Sequence, residues 1–253
     1  MQTTSLRLKS ALLGLTLLLS GAAHADDTPH YLDDAKLHEL QAIIAPPSVP
    51  GSPEDRADRA VTDRAYAAAR GKDEATLAKK EEAFDVFAFS RVIGPNFDTS
   101  KLPHTATLFT EVQKETAAAV KEAKNHWQRA RPCPLDACHK DPEGDEKNLK
   151  KKSYGYPSGH STRATVFAVL LGKLMPQRTD DLAGYARDVG WRRVVRGAHT
   201  PQDIYAGRVF GQALAAAFLA NPVLQKDMEE AEAELTAAGL TAPMSETKAA
   251  MVH

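Results

Sequence analysis

The chain has 253 residues, 43% of them hydrophobic, which is ample apolar side chain for one well-filled core. Its 32 Lys and Arg nearly balance 33 Asp and Glu, so the formal charge is −1 and no overall field draws it to nucleic acid; positive charge at any site must be local. The best apolar windows beyond the N-terminus, 164–174 and 210–219, fall short of the ~20 residues of a spanning helix and read as core helices.

Residues 1–25 read as an export signal. Arg7 and Lys9 make a positive start, 11–19 an apolar stretch, and Ala23-His24-Ala25 a small-x-small cleavage site. The pattern predicts a periplasmic protein. Residues 26–52 form an N-terminal arm with a short helix over 35–44, then a stiff lead-in through Pro46, Pro47, Pro50 and Pro53. A helical domain follows over 53–220, with a C-terminal helix and tail over 221–253.

Ser52-Pro53 is an N-cap followed by Pro at the first helical position, and the helix it opens runs to Arg70, where Gly71 ends it. A second helix is predicted over 74–92, stopped by Gly94-Pro95. The stretch 105–131 repeats apolar residues at Phe109, Val112, Val120, Ala123 and Trp127, one face of a long helix that Pro132 ends. Residues 134–152 are charged and contain Pro and Gly, so they read as a loop. Further helices fit 161–175, 180–189, 201–219 and 224–237. Alternating β-branched patterns are scarce and no repeat occurs, so the predicted fold is a single-domain all-α helical bundle.

Two cysteines, Cys133 and Cys138, stand five apart. In an oxidising compartment a local disulfide is the first reading. A metal site is the alternative, but no second Cys or His pair follows at zinc spacing.

Three clusters carry candidate chemistry. In Lys124–Arg131 two cations are seven residues apart, ~10 Å along a helix and on one face. Tyr154-Gly155-Tyr156-Pro157-Ser158-Gly159-His160 leads into a helix whose Ser158 or Gly159 end offers unpaired N–H groups, a seat for phosphate with a titratable ring at its rim. In the third, Arg193 precedes His199, and Asp203, four further on, can hold one ring nitrogen and leave the other to attack. Each has an ordinary alternative: a solvated basic face, a capped helix start, and a capping sequence Thr200-Pro201-Gln202-Asp203. Together they suit phosphoryl transfer, with cations for the nonbridging oxygens, a nucleophile and an acid.

Lys124-x6-Arg131-Pro132, Pro157-Ser158-Gly159-His160 and Arg193-x5-His199-x3-Asp203 resemble the tripartite pattern of the phosphatidic-acid phosphatase type 2 superfamily. That superfamily includes vanadium-dependent haloperoxidases and bacterial class A acid phosphatases, and the export signal and Pro-rich lead-in look most like the class A branch. The resemblance implies a helical bundle acting on phosphate monoesters without a metal or other cofactor, with phosphotransfer to alcohols as a side activity. It implies His199 as nucleophile, Asp203 as its orienting partner and His160 as acid. Lys124, Arg131, Arg193, Ser158 and Gly159 would bind the phosphate. It further implies a homo-oligomer. Action on a lipid phosphate at a membrane surface, or a vanadate-dependent haloperoxidase reaction, are the alternatives on the same site. Arg192 replaces the pattern's serine, Tyr154 and Gly155 replace glycine and serine, and Ser161 a threonine. Arg192 and Arg196 add charge near the motif, which points to more anionic substrates.

Overall fold

Why an apolar run should follow His160 is answered by the arrangement of the helices. The computed structural model describes residues 31–132 and 154–241. Among these are nine α-helices and no strand: α1 (Asp34–Gln41), α2 (Pro53–Ala69), α3 (Asp73–Lys80), α4 (Ser90–Ile93), α5 (Pro103–Trp127), α6 (Gly159–Leu174), α7 (Thr179–Val195), α8 (Pro201–Ala220) and α9 (Pro222–Ala237). Helix α6 is the central one. It buries Val166, Phe167, Leu170 and Leu171 together with Ala164 and Leu174, while His160, Arg163 and Lys173 keep part of it polar. Helices α8 and α7 pack most extensively against it, and α5 and α9 also touch it.

The contact between α6 and α8 is backbone-close because of two glycines. A Cβ added at Gly207 would lie 2.7 Å from the Ser158 carbonyl oxygen, and one at Gly211 would lie 2.6 Å from that of Thr162. The start of α6 is therefore held against the first turns of α8, where the Ser158 N–H donates to the Asp203 carbonyl at 2.9 Å.

Helix α5 buries Leu108, Phe109, Val112, Ala119, Val120 and Ala123, the stripe read from the sequence. The arm and tail are tied to it. Glu115 accepts from the Tyr31 and Leu32 N–H groups at 2.8 Å each. Helix α9 buries Leu224, Met228, Ala231 and Leu235, and its Glu234 caps α5 by accepting from His104 N–H at 3.0 Å and Thr105 N–H at 2.9 Å. Among the described residues no helix is long and apolar enough to cross a membrane.

Three predicted helices differ: the one expected over 180–189 runs on to Val195 as α7 and carries Arg192 and Arg193. The span 74–92 is broken into α3, two 3-10 turns and α4. Phe84, Val86 and Phe89 are all buried, a spacing no single helix face provides, and the Asp85 carboxylate accepts from Phe87 N–H at 2.9 Å to start a new turn. Helix α5 ends at Trp127, four residues before Arg131, because Gln128 takes a left-handed conformation at φ +48°. The export signal, the loop 134–152 and the Cys133–Cys138 pair lie outside the described residues.

The glycine contact predicts a contrast between two substitutions. Gly207→Ala drives a methyl into backbone and should destabilise by about 1–3 kcal/mol, read from urea denaturation. Gly184→Ala in α7 meets only the Arg187 side chain at 3.8 Å and should be neutral or stabilising.

Candidate active site

Lys124, Arg131, Gly159, His160 and His199 line one cavity of about 280 Å³, together with Thr116, Val120 and Arg163. A larger cavity of about 700 Å³ lies among α6, α7 and α8, but no histidine lines it, so chemistry and not size marks the site. Lys124 and Arg131 reach the cavity by a route other than the shared helix face. Lys124 projects from the last turn of α5, and Arg131 comes from the segment beyond the left-handed turn at Gln128. That segment is pinned by Gly155 N–H donating to the Arg129 carbonyl at 2.8 Å. Gly155 is required there, since a Cβ would lie 3.1 Å from Asp203 Oδ2.

His199 is 2% exposed and both its ring nitrogens are engaged. Its Nδ1 is 3.3 Å from Asp203 Oδ2, and its Nε2 is 3.1 Å from Arg131 Nη1. A carboxylate only accepts and a guanidinium only donates, so Nδ1 carries the proton and Nε2 keeps its lone pair. Burial pulls the His199 pKa down to about 3, with Arg131 and Lys124 assisting, against the opposing hydrogen bond and charge of Asp203. The ring is therefore a neutral base well into the acid range.

Asp203 is at once the orienting partner and the capping residue, so the two sequence readings hold together. Thr200 accepts from Asp203 N–H at 3.3 Å, and Asp203 Oδ2 accepts from Thr200 N–H at 3.0 Å. Burial pushes its carboxyl up, but the His199 hydrogen bond and the charges of His199 and Arg129 outweigh this and hold it below the usual range.

Arg129, which sequence reading passed over, completes this arrangement. It is 4% exposed. Its Nη1 donates to Asp203 Oδ1 and Thr200 Oγ1 at 2.8 Å each, and its Nη2 donates to Asp55 Oδ1 and Asp58 Oδ2 at 2.9 Å each. Asp55 and Asp58 come from α2, whose Thr62 hydroxyl also donates to the His199 carbonyl at 3.3 Å. Asp58 accepts from Gln202 N–H at 2.9 Å, so the same carboxylate touches the first turn of α8. The only sequence signal was an arginine two places before the motif Arg131; its partners lie 71 and 74 residues away.

His160 is held by its Nε2, 3.1 Å from the Glu81 carbonyl oxygen. A carbonyl only accepts, so Nε2 carries a proton. Ser158 is the N-cap of α6, with its Oγ accepting from Ser161 N–H at 3.4 Å, and Gly159 at the first helical position lines the cavity. Arg193 is 7% exposed and does not line the cavity; its charge acts on Lys124, and its carbonyl accepts from the Ala198 and His199 N–H groups at 3.0 and 3.3 Å. Burial, with the charges of Arg131 and Arg193, pulls Lys124 down to about 7 against Asp203.

Arg192 is corrected. Glu81 binds it through two contacts of 2.6 and 2.8 Å, so its charge is neutralised away from the cavity, and Arg196 is exposed and lines no part of it. Arg163 is instead the unforeseen cation of the lining. Among the described residues no three His, Cys, Asp or Glu side chains gather as a metal site.

The model of the PAP2 superfamily matches residues 105–226, a span that holds all three clusters. The chain is similar to a Zymomonas mobilis protein named "Acid phosphatase", with 29% identity over 247 residues, 93% of this chain and 90% of that one. Proteins named "Non-specific acid phosphatase" from Salmonella typhi and Salmonella typhimurium are also 29% identical. Those matches cover 77% and 87% of this chain, and 79% and 90% of theirs.

Arg129→Met would leave three carboxylates, the buried Asp55 and Asp203 and the half-buried Asp58, without their shared cation and should destabilise the protein by about 3–5 kcal/mol at neutral pH. Burial pushes the Asp55 carboxyl up, but Arg129, the Gly51 N–H and Arg59 hold it at about 2. A carboxylate with a depressed folded-state pKa contributes stability above its unfolded value, about 3.9, and loses it as pH falls through the folded value. The deficit of the variant should therefore shrink towards pH 3 in denaturant titrations. An equal deficit at pH 7 and pH 3 would show that packing, and not charge, sets the loss.

Proposed function

We propose that this chain, which carries a PAP2 superfamily domain over residues 105–226, hydrolyses phosphate monoesters through a phosphohistidine formed on His199. The observation that carries this reading is the pairing of the His199 ring: its Nδ1–H donates to Asp203, and the Nε2 lone pair faces a cavity lined by Lys124 and Arg131. In the first step Nε2 attacks phosphorus, the P–O bond to the alcohol breaks, and His160 gives its Nδ1 proton to the departing oxygen. In the second, water attacks the P–N bond while His160 takes a proton from it. Phosphate leaves and His199 is restored neutral.

Lys124, Arg131 and Arg193, with Gly159 N–H and the Ser158 hydroxyl, supply the positive potential on the nonbridging oxygens that a metal supplies in other phosphatases. Arg131 now donates to the very lone pair that must attack, at 3.1 Å. An incoming phosphate offers it better acceptors and draws it off Nε2, so the nucleophile is released as the substrate is bound. The same site can pass the phosphoryl group to an alcohol in place of water. Residues 1–25 support a periplasmic location for the reaction.

The direct test is p-nitrophenyl phosphate hydrolysis with EDTA or vanadate present. Activity should survive EDTA and be blocked by vanadate; loss in EDTA with recovery on a divalent ion would overturn the metal-independent mechanism. His199→Ala should abolish trapping of labelled phosphoenzyme, and label retained in that variant would move the nucleophile elsewhere.

The pH dependence follows from the two perturbed groups. His199, near 3, stays neutral through the acid range, whereas Lys124 loses its charge as pH rises past about 7. The kcat/KM profile should therefore fall above about pH 7, as the free enzyme titrates. Lys124→Arg, whose cation does not titrate there, should move that fall to higher pH.

A further inference from the structure

One cation of the cavity has no part in holding the transferred phosphate. Arg163 lies on α6 three residues after His160 and four after Gly159, so the three share a helix face. A long side chain on a helix leans towards the N-terminus, which here brings it back to the rim where His160 stands. It lines the same cavity as Lys124, Arg131 and His199.

The surroundings of Arg163 differ from those of the structural arginines. Arg129 and Arg192 are matched by carboxylates at 2.6–2.9 Å, and Arg59 by Asp55 at 3.0 Å. Arg163 has no such ion pair among the described residues. Its buried Nε has no hydrogen-bond partner there, which is true of Arg129 Nε as well, so the difference lies in the missing carboxylate; its guanidinium carbon instead sits 5.5 Å from the centroid of the Phe84 ring. The Phe84 ring is in turn 6.3 Å from that of His160, so one aromatic wall backs both groups. Burial lowers the Arg163 pKa and only the more distant Asp85 charge opposes it.

We propose that Arg163 binds a second anionic group carried by the alcohol portion of the substrate, so that the preferred substrates are phosphate esters with a carboxylate or another phosphate a few bonds from the ester oxygen. The placement follows from His160: the group that protonates the leaving oxygen marks where the alcohol lies, and Arg163 is one turn further along the same face. A guanidinium suits this task because its planar fork matches either oxyanion with two parallel hydrogen bonds. The assignment rests on the phosphatase reading above, and it replaces Arg192 and Arg196 as the source of any preference for anionic substrates.

Three matched esters test it: 3-hydroxypropyl phosphate, 3-(phosphonooxy)propanoate and propane-1,3-diyl bisphosphate. They differ only in whether the far end of the leaving group is neutral, a carboxylate or a phosphate. The wild-type protein should prefer one or both anionic esters in kcat/KM, and the two ratios show which oxyanion it takes. Arg163→Met should lower the preferred ratio about tenfold, the scale of one lost charged hydrogen-bond pair, while Arg163→Lys should keep most of it. Because each ratio is taken on one preparation, loss of folded protein cancels. The wild-type preference should also shrink in 1 M NaCl, where the screening length is about 3 Å.

A wild-type protein that favours the neutral ester, or an Arg163→Met variant that loses activity on all three esters in equal proportion, would overturn the assignment and leave the phosphatase reading intact. No hydrolysis of any phosphate ester, p-nitrophenyl phosphate included, would overturn the phosphatase reading itself.

Discussion

The carboxylate and backbone of Asp203 join the parts of this protein that the chain keeps far apart. Its Oδ2 accepts from His199 and from Thr200 N–H, its Oδ1 accepts from Arg129, and its carbonyl accepts from the Ser158 N–H that opens α6. One residue thus meets all three motif segments. Gly207 brings backbone within reach where a Cβ would collide with the Ser158 carbonyl, and Gly155 leaves room where a Cβ would crowd Asp203 Oδ2 at 3.1 Å. The cavity lies beside that junction, with His199, which Asp203 holds, in its lining.

Such a junction is costly to bury. Three carboxylates around one guanidinium lose their hydration, and their mutual attraction in the interior offsets that loss only when every lone pair and N–H is placed. Here Asp55 is held by Gly51 N–H, Arg59 and Arg129, and Asp58 by Gln202 N–H and Arg129. The network orients more than it stabilises. It locks α2 behind the His199 loop, where Thr62 reaches the His199 carbonyl and Arg59 reaches the carbonyls of Ala130 and Arg131. Helix α2 carries no proposed catalytic group, yet it sets the backbone from which two of them project. The Glu81–Arg192 pair does the same on the other side, where the Glu81 carbonyl holds His160 while its carboxylate holds Arg192 and Tyr185.

What could be read from the sequence divides along a physical line. Features set by neighbours a few residues away were legible: the Ser52 and Thr200 caps, the α5 stripe, the apolar run within α6, and the histidine and aspartate four apart. Features set by partners far along the chain were not. Arg129 looks like any arginine near a helix end until Asp55 and Asp58 arrive from α2. Arg192 and Arg163 look equally available, and only the fold pairs the first with Glu81 and leaves the second facing the cavity. Lys124 and Arg131 do meet at one site, though a left-handed residue at Gln128 brings them together where a continuous helix had been expected. The break between α3 and α4 was hidden for the same reason, since burial of both Phe84 and Val86 is a tertiary demand that overrides a helix-compatible sequence.

The environments of the two histidines separate the roles proposed for them. His199 is enclosed, hydrogen-bonded at both nitrogens and kept neutral by burial among cations, which suits a group that must offer a lone pair when most imidazoles are protonated. His160 is half-buried and lines the cavity, and the Glu81 carbonyl holds its Nε2 and so fixes the ring. The same reasoning accounts for the depth at which each is set. The proposed nucleophile is kept neutral by burial beside Arg131 and Lys124, against the pull of Asp203, and the proposed proton donor lines the cavity that water must enter for the second step.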